Sequence, residues 1–344
     1  MRFSDQLDAW RNGSVVAPVH VRIKPINRCN HNCWYCAYRF KNLKLGEDIN
    51  LSDVLPKNKL FEIIDDLVDM KVKAVTFSGG GEPLIYKPIV EAVEKLAAGG
   101  IKVGALTNGT NLKGRVADVF SQYASWVRIS MDGWDNESYK KARDARDNEF
   151  DIVLDNMADF LNKETKCVLG VSFIVGKENC GHIYEFCKLL KNIGVNHVKL
   201  SGVVIANDAT AVNQYHLEFK ETADTQIELA RTLEDKNFSV LDHYHDVDER
   251  FDKNYKICPF LQYLTVIGAD CMVYTCQDKA YTQSGMLGSI KETSFKKFWF
   301  SEENRKNIYN LDPSKDCRHH CVSHQKNLAI VENLNVDLGH EVFV

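Results

Sequence analysis

From residue 20 to about 204, short β-branched runs alternate with segments whose apolar positions recur at helical spacing. The strand-like runs are HVRIKPI (20–26), KAVTFS (73–78), KVGALT (102–107), WVRISM (126–131), CVLGVSFIV (167–175) and HVKLSG (197–202). Between them, NKLFEIIDDLVDM and KPIVEAVEKLAAG place apolar residues every three or four positions, and the second runs into a Gly-Gly stop signal. Six β-then-α units predict parallel strands joined by right-handed crossovers. Six units instead of eight predict an incomplete barrel, a partial (β/α)6 architecture of the α/β class.

After about residue 205 the pattern changes to a long helical stretch, NQYHLEFKETADTQIELARTLEDKN, then a charged one, DHYHDVDERFDKNYK, then a turn-rich tail. The chain thus divides into a barrel over residues 1–205, a helical and charged connection over 206–257, and a small cysteine-rich domain over 258–344. With 44% apolar and 26% charged residues among 344, nothing points to disorder. A net charge of −4 gives no global attraction to nucleic acid. The polar start MRFSDQLDAW and the lack of any long apolar window predict a cytoplasmic protein without a membrane partner.

Barrels of this type collect their chemistry at the C-terminal ends of the strands. The unusual residues fall there. A loop with three cysteines follows the first strand, GGGEP the second, TNG the third, SMDG the fourth, and Ser201 of SG closes the sixth.

Eleven cysteines in a chain of this kind point to metal or redox chemistry. Cys167, Cys180 and Cys187 stand singly in apolar surroundings and read as small core residues. Cys29, Cys33 and Cys36 lie within eight residues, with no fourth cysteine until Cys167. A cubic 4Fe-4S cluster takes four external ligands, so three thiolates leave one iron open for a substrate or cofactor. The alternative is a zinc site completed by His31 from the same short loop.

The spacing C-x3-C-x2-C, with Tyr35 before its last cysteine, resembles the signature of the radical SAM superfamily, and GGGEP, TNG and SMDG follow in that family's order. The resemblance covers most of the chain. It implies that Cys29, Cys33 and Cys36 hold a 4Fe-4S cluster whose open iron chelates S-adenosylmethionine. Gly80, Gly81 and Glu82 would meet the methionyl amino group, and Asn108, Ser130 and Asp132 the ribose and carboxylate. VSFIVGKEN resembles the strand-five adenine motif, with Ser172 where a glycine is common and Asn179 where an acid is common. One electron, from a flavodoxin- or ferredoxin-type donor, would cleave the cofactor to a 5'-deoxyadenosyl radical that takes hydrogen from substrate.

The tail resembles the auxiliary-cluster modules called SPASM and, in their short form, twitch. That resemblance assigns a second 4Fe-4S cluster to Cys258, Cys276, Cys317 and Cys321. A zinc knuckle is the alternative, with His319, His320 and His324 nearby. Cys271 stands where a glycine is common in that hairpin; it reads as another ligand, a thiol that donates a hydrogen atom, or a buried residue.

Only 28 residues precede Cys29, too few for the leader-peptide recognition domain of many peptide-modifying relatives, which directs attention to a small molecule, sugar-like and possibly phosphorylated. The expected outcome is dehydrogenation or epimerisation. Asp278 and Lys279 are candidate bases, and Arg143 a candidate anion anchor. His20, Arg22 and Lys24 alternate on one face of the first strand, where they suit a phosphate or carboxylate if that face lines the barrel. Peptide or protein modification and a non-catalytic iron-sulfur or zinc protein are the competing readings. The terminal GHEVFV is a candidate cover for the site.

Overall fold

The structure is a computed structural model describing residues 3–244, 251–336 and 339. Residues 245–250 of the charged stretch, and GHEVFV apart from Gly339, lie outside the described residues.

Seven parallel strands form the arc of the barrel in sequence order: β1 (His20–Ile23), β2 (Ala74–Phe77), β3 (Lys102–Thr107), β4 (Ala124–Ser130), β5 (Val168–Val175), β6 (His197–Gly202) and β7 (Ser239–His243). The first six coincide with the β-branched runs. The seventh, SVLDH, sits in a polar stretch and pairs with β6 from His197↔Ser239 onward. Its alternation is too short to stand out from the charged residues around it.

The helices between the strands carry the expected apolar stripe. Residues 57–69 bury Leu60, Ile63, Ile64 and Leu67, and residues 183–193 bury Ile183, Phe186, Cys187 and Leu190. This i, i+3, i+4, i+7 spacing lays one helix face on the sheet. Val21, Ile23, Val75, Phe77, Val127 and Ile129 meet it and are 0% exposed. Cys167, Cys180 and Cys187 are buried in the same core. The long helical stretch is two helices, 209–217 and 220–231, separated where Phe219 turns inward against the rings of Tyr215 and His216.

The cysteine-rich tail continues the same sheet. β8 (Leu264–Ile267) pairs in parallel with the free edge of β1, and β9 (Met272–Tyr274) and β10 (Met286–Ser289) add antiparallel strands beyond it. The tail thereby reaches the first strand, next to the loop with three cysteines. Among the described residues no helix is long and apolar enough to cross a membrane.

Candidate functional site

The three-cysteine loop is fixed by elements on either side of it. At its base, Gly81 N donates to Ile26 O and Glu82 N to Arg28 O, both at 3.0 Å. A Cβ on Gly81 would stand 2.0 Å from Arg28 O, and one on Gly80 2.3 Å from Asn27 Oδ1, so only glycine lets the second strand's loop approach this closely. Further along, Asn108 Nδ2 donates to Asn30 Oδ1 at 2.8 Å and Asn32 N to Arg143 O at 3.0 Å. Cys29, Cys33 and Cys36 are thus presented half-buried on a loop that the protein holds from outside.

Glu82 is buried and takes three donors: Leu84 N (2.9 Å) and Thr107 Oγ1 (2.6 Å) on Oε1, and Asn108 N (2.7 Å) on Oε2. Burial raises its pKa, and these hydrogen bonds oppose the rise. A carboxylate offers about four acceptor positions, so one remains on Oε2 for an incoming ammonium.

Asp132, buried with φ 68°, is a second hub. Its Oδ2 accepts from the Tyr35 hydroxyl and from Arg143 Nη1 (2.5 Å), and its Oδ1 from Ile174 N (2.6 Å). Arg143 also donates to Tyr35 Oη (2.9 Å) and, through Nε, to His31 Nδ1 (3.2 Å). His31 Nε2 in turn meets Glu149 Oε2 at 3.0 Å. Both ring nitrogens of His31 are therefore engaged, and it is no ligand for a metal held by the loop. Arg143, offered by the sequence as an anion anchor, is buried in this network and positions the loop instead. Asn179 donates to Asp132 O (3.1 Å) and Ile174 O (2.8 Å) and accepts from Gly176 N (2.8 Å). An acid could not make the two donations, which explains the amide at this position.

Beside this hub lies a cavity of about 460 Å³ at the ends of β4, β5 and β6, walled by Trp34, Tyr35, Trp134, Ile174 and Tyr215 with Asp132 and Asn179 at its polar edge. Its aromatic walls and size suit a flat heterocycle with a polar extension. Ser130, Ser172 and Ser201 are half-buried at the same strand ends.

In the tail, Cys258, Cys276, Cys317 and Cys321 act on one another electrostatically, with Lys253, Lys279 and Asp278 among them. Lys279 is buried and donates to Asp316 O at 2.8 Å, a geometry that stabilises clustered thiolates and leaves it unsuited as a base. Burial pushes the Cys321 thiol up to about 12 and, in the front loop, Cys29 to about 11. Binding a metal would displace those protons.

A single tetrahedral zinc holds its sulfurs about 3.8 Å apart, from a Zn–S bond near 2.3 Å. Among the described residues, the donors compact enough for one ion are Cys276, Asp278 and His319, mutually within 4.8 Å, and no three cysteines of either group meet that spacing. Of the three histidines that the sequence places near the tail cysteines, His319 has its Nε2 buried there without a hydrogen-bond partner among the described residues, which makes it a candidate ligand.

Cys271 belongs to neither group. It is buried in the main apolar core at φ 61°, and the charges acting on it are Lys59, Asp270, Lys291 and Asp53. The left-handed turn position explains why glycine is common here. Core burial removes it from the candidate hydrogen-atom donors.

The face shared by His20, Arg22 and Lys24 is the barrel interior, opposite the fully buried Val21 and Ile23. His20 Nε2 meets Thr76 Oγ1 at 2.8 Å, Arg22 donates to Gln277 Oε1, and Lys24 donates to Tyr38 Oη (2.5 Å) and Gly79 O (2.9 Å). Burial, reinforced by the charge of Arg22, pulls Lys24 down to about 7.

Comparison with known proteins agrees with this geometry. Residues 23–190 match the model of the radical SAM superfamily. The GTP 3',8-cyclase of Lactiplantibacillus plantarum is 28% identical over 210 residues, 60% of each chain, and the S-adenosylmethionine-dependent nucleotide dehydratase of Flammeovirga pacifica is 29% identical over 117, covering 33% of this chain and 38% of that one. The matched segments therefore span less than two thirds of these relatives' own length. Streptococcus suis SuiB bound to S-adenosylmethionine superposes with a TM-score of 0.63 at 13% identity, covering 88% of this chain and 70% of that one, a likeness of fold. With the three-cysteine loop, the glycine-rich turn and the partial barrel in one arrangement, the chain carries a radical SAM domain.

Proposed function

We propose that this radical SAM enzyme removes a hydrogen atom from a polar small molecule of sugar or nucleotide class, leading to dehydrogenation or epimerisation. The observation that carries the reading is the barrel interior, where half-buried polar side chains at the ends of β4, β5 and β6 face Arg22 on β1. The two relatives named for activities on GTP and on a nucleotide point to the same class.

Cys29, Cys33 and Cys36 would hold the cluster that binds S-adenosylmethionine, and the four tail cysteines an auxiliary cluster of the twitch or SPASM kind. When bound and reduced, S-adenosylmethionine supplies a carbon radical that takes hydrogen from substrate. Glu82 Oε2 would receive the cofactor's ammonium, the aromatic cavity beside Tyr35 its base, and the network of Asp132 and Arg143 would keep the loop aligned with both. Asp278, acted on by Arg22 and Lys24 from one side and by the tail thiols from the other, is the group best disposed to take a hydroxyl proton.

The test is anaerobic reconstitution followed by a screen of nucleotides and nucleotide sugars for stimulated 5'-deoxyadenosine release. Dehydrogenation gives a product two hydrogens lighter than the substrate; epimerisation leaves the mass unchanged in ordinary water and takes up deuterium from heavy water. A screen in which short peptides alone stimulate release would replace this proposal with peptide modification.

A further inference from the structure

We infer that the barrel interior binds an anionic group of the substrate, of the phosphate or diphosphate class, between the guanidinium groups of Arg22 on β1 and Arg128 on β4. The inference rests on the small-molecule reading above and names the part of the substrate that the barrel grips.

β1 and β4 are three places apart in the sheet, so the curvature of a partial barrel turns their inner faces toward each other. Arg128 has the same parity as Ser130 and Trp126, whereas Val127 and Ile129 between them are 0% exposed on the outer face. Both arginines are half-buried, and each has a buried Nε without a hydrogen-bond partner among the described residues. Arg128 lies over the Trp126 ring at 5.6 Å. The other two cations of the first strand are committed, His20 to Thr76 and Lys24 to Tyr38 and Gly79, while Arg22 donates through Nη1 to Gln277 Oε1 and keeps its Nε unpaired among the described residues. Lys199, on β6, shares the inner face.

The charges in this space repel one another. Burial and then Arg22 disfavour the charged form of Arg128, and Arg128 acts the same way on His197. Asp278 and Tyr38 offset Arg22, whereas among the described residues the charge acting on Arg128 is that of Arg22. Half-buried guanidinium groups facing one space are costly until an anion joins them, and their forked donors match phosphate oxygens.

The far end of the space is narrowed by two rings. A Cβ on Gly104 would stand 2.4 Å from the Trp126 ring and one on Gly170 2.2 Å from the His197 ring, so these large side chains fill the places that the glycines vacate. A substrate gripped at its phosphate in this narrowed space would extend its sugar toward the rim that carries the cysteines.

The experiment titrates inorganic pyrophosphate into the anaerobically reconstituted full chain by calorimetry, with wild type, R22Q, R128Q and R128K. Pyrophosphate should bind the wild type, and R22Q and R128Q should each weaken it by about tenfold or more, with R128K intermediate. Should a variant fail to fold, protection of Arg22 and Arg128 from phenylglyoxal by pyrophosphate in the wild type, mapped by mass spectrometry, reads the same site. Absent binding, unchanged affinity in both glutamine variants, or modification that pyrophosphate does not slow would overturn the inference. Measuring S-adenosylmethionine cleavage on the same wild-type samples separates the two ideas: cleavage without an anion site discards the anion site alone, and no cleavage discards the radical reading.

Discussion

The two cysteine groups solve different problems. The front loop offers three thiols from adjacent positions, and its shape comes from outside, through hydrogen bonds from the turns after β2 and β3 and from Arg143. The tail brings four thiols from positions 258 to 321 together beside Lys253 and Lys279. A site that keeps one position open lacks a fourth ligand to define it, so the surrounding protein must. A closed site can be defined by its own ligands, and the protein supplies mainly compensating charge.

The largest test of this contrast removes one thiol from each group. C33A should lower iron from about eight to about four per reconstituted chain and abolish S-adenosylmethionine cleavage; C276A should give the same iron loss and keep cleavage. Equal loss of cleavage in both would mean that the two groups do not act separately.

Next in size is R143A. It leaves Asp132 buried beside Tyr35 without its cation, and breaking a buried pair by removing one partner costs about 3–5 kcal/mol. The expected result is a lower unfolding midpoint in denaturant together with poor iron retention at the front loop, the tail cluster remaining. An unchanged midpoint would show that the loop defines itself after all.

G81A tests the base of the same loop. A methyl 2.0 Å from Arg28 O forces the backbone apart, whereas G181A, with nothing within 4 Å, serves as the matched control. Front-loop iron should fall in G81A and not in G181A. E82Q comes below it: the carboxylate loses charge-assisted bonds to Thr107 and two backbone amides, each worth about 1.5–3 kcal/mol at most. S-adenosylmethionine affinity should drop in E82Q while iron stays bound.

What could be read in advance follows from the range of each interaction. Six strands, their helices and the sites at their ends recur at intervals of 22 to 54 residues, and each is reported by the periodicity of its own short segment. The contact of Arg143 with His31 spans 112 residues, and no local pattern in YKKARDAR distinguishes a buried organiser from a solvated helix charge. For Cys271 the sequence leaves a ligand, a hydrogen-atom donor and a buried residue side by side, and the positive φ and core burial that favour the last are properties of the folded turn. Arg128 was within reach: the alternation that put His20, Arg22 and Lys24 on one face applies equally to Trp126, Arg128 and Ser130. β7 was lost because its few residues sit among charges that mask a period of two.

The smallest expected effect concerns the floor of the barrel, where both regions are felt. His20 is pulled down to about 4, first by burial, then by Arg22 on its own strand and Lys326 on the tail helix. Its unfolded value is near 6.5, so between about pH 6.5 and 4 the unfolded chain binds a proton that the folded chain refuses. Stability from this residue is therefore complete above the unfolded value and is lost as pH falls through that window, at no more than about 1.4 kcal/mol per pH unit for one proton. Gln in its place keeps a partner for Thr76 and never titrates. H20Q should match wild type in denaturant midpoint at pH 7.5 and lose less stability by pH 5. Parallel curves would mean that water solvates the His20 charge in the folded chain as well as in the unfolded one, and that burial and Arg22 do not set its titration.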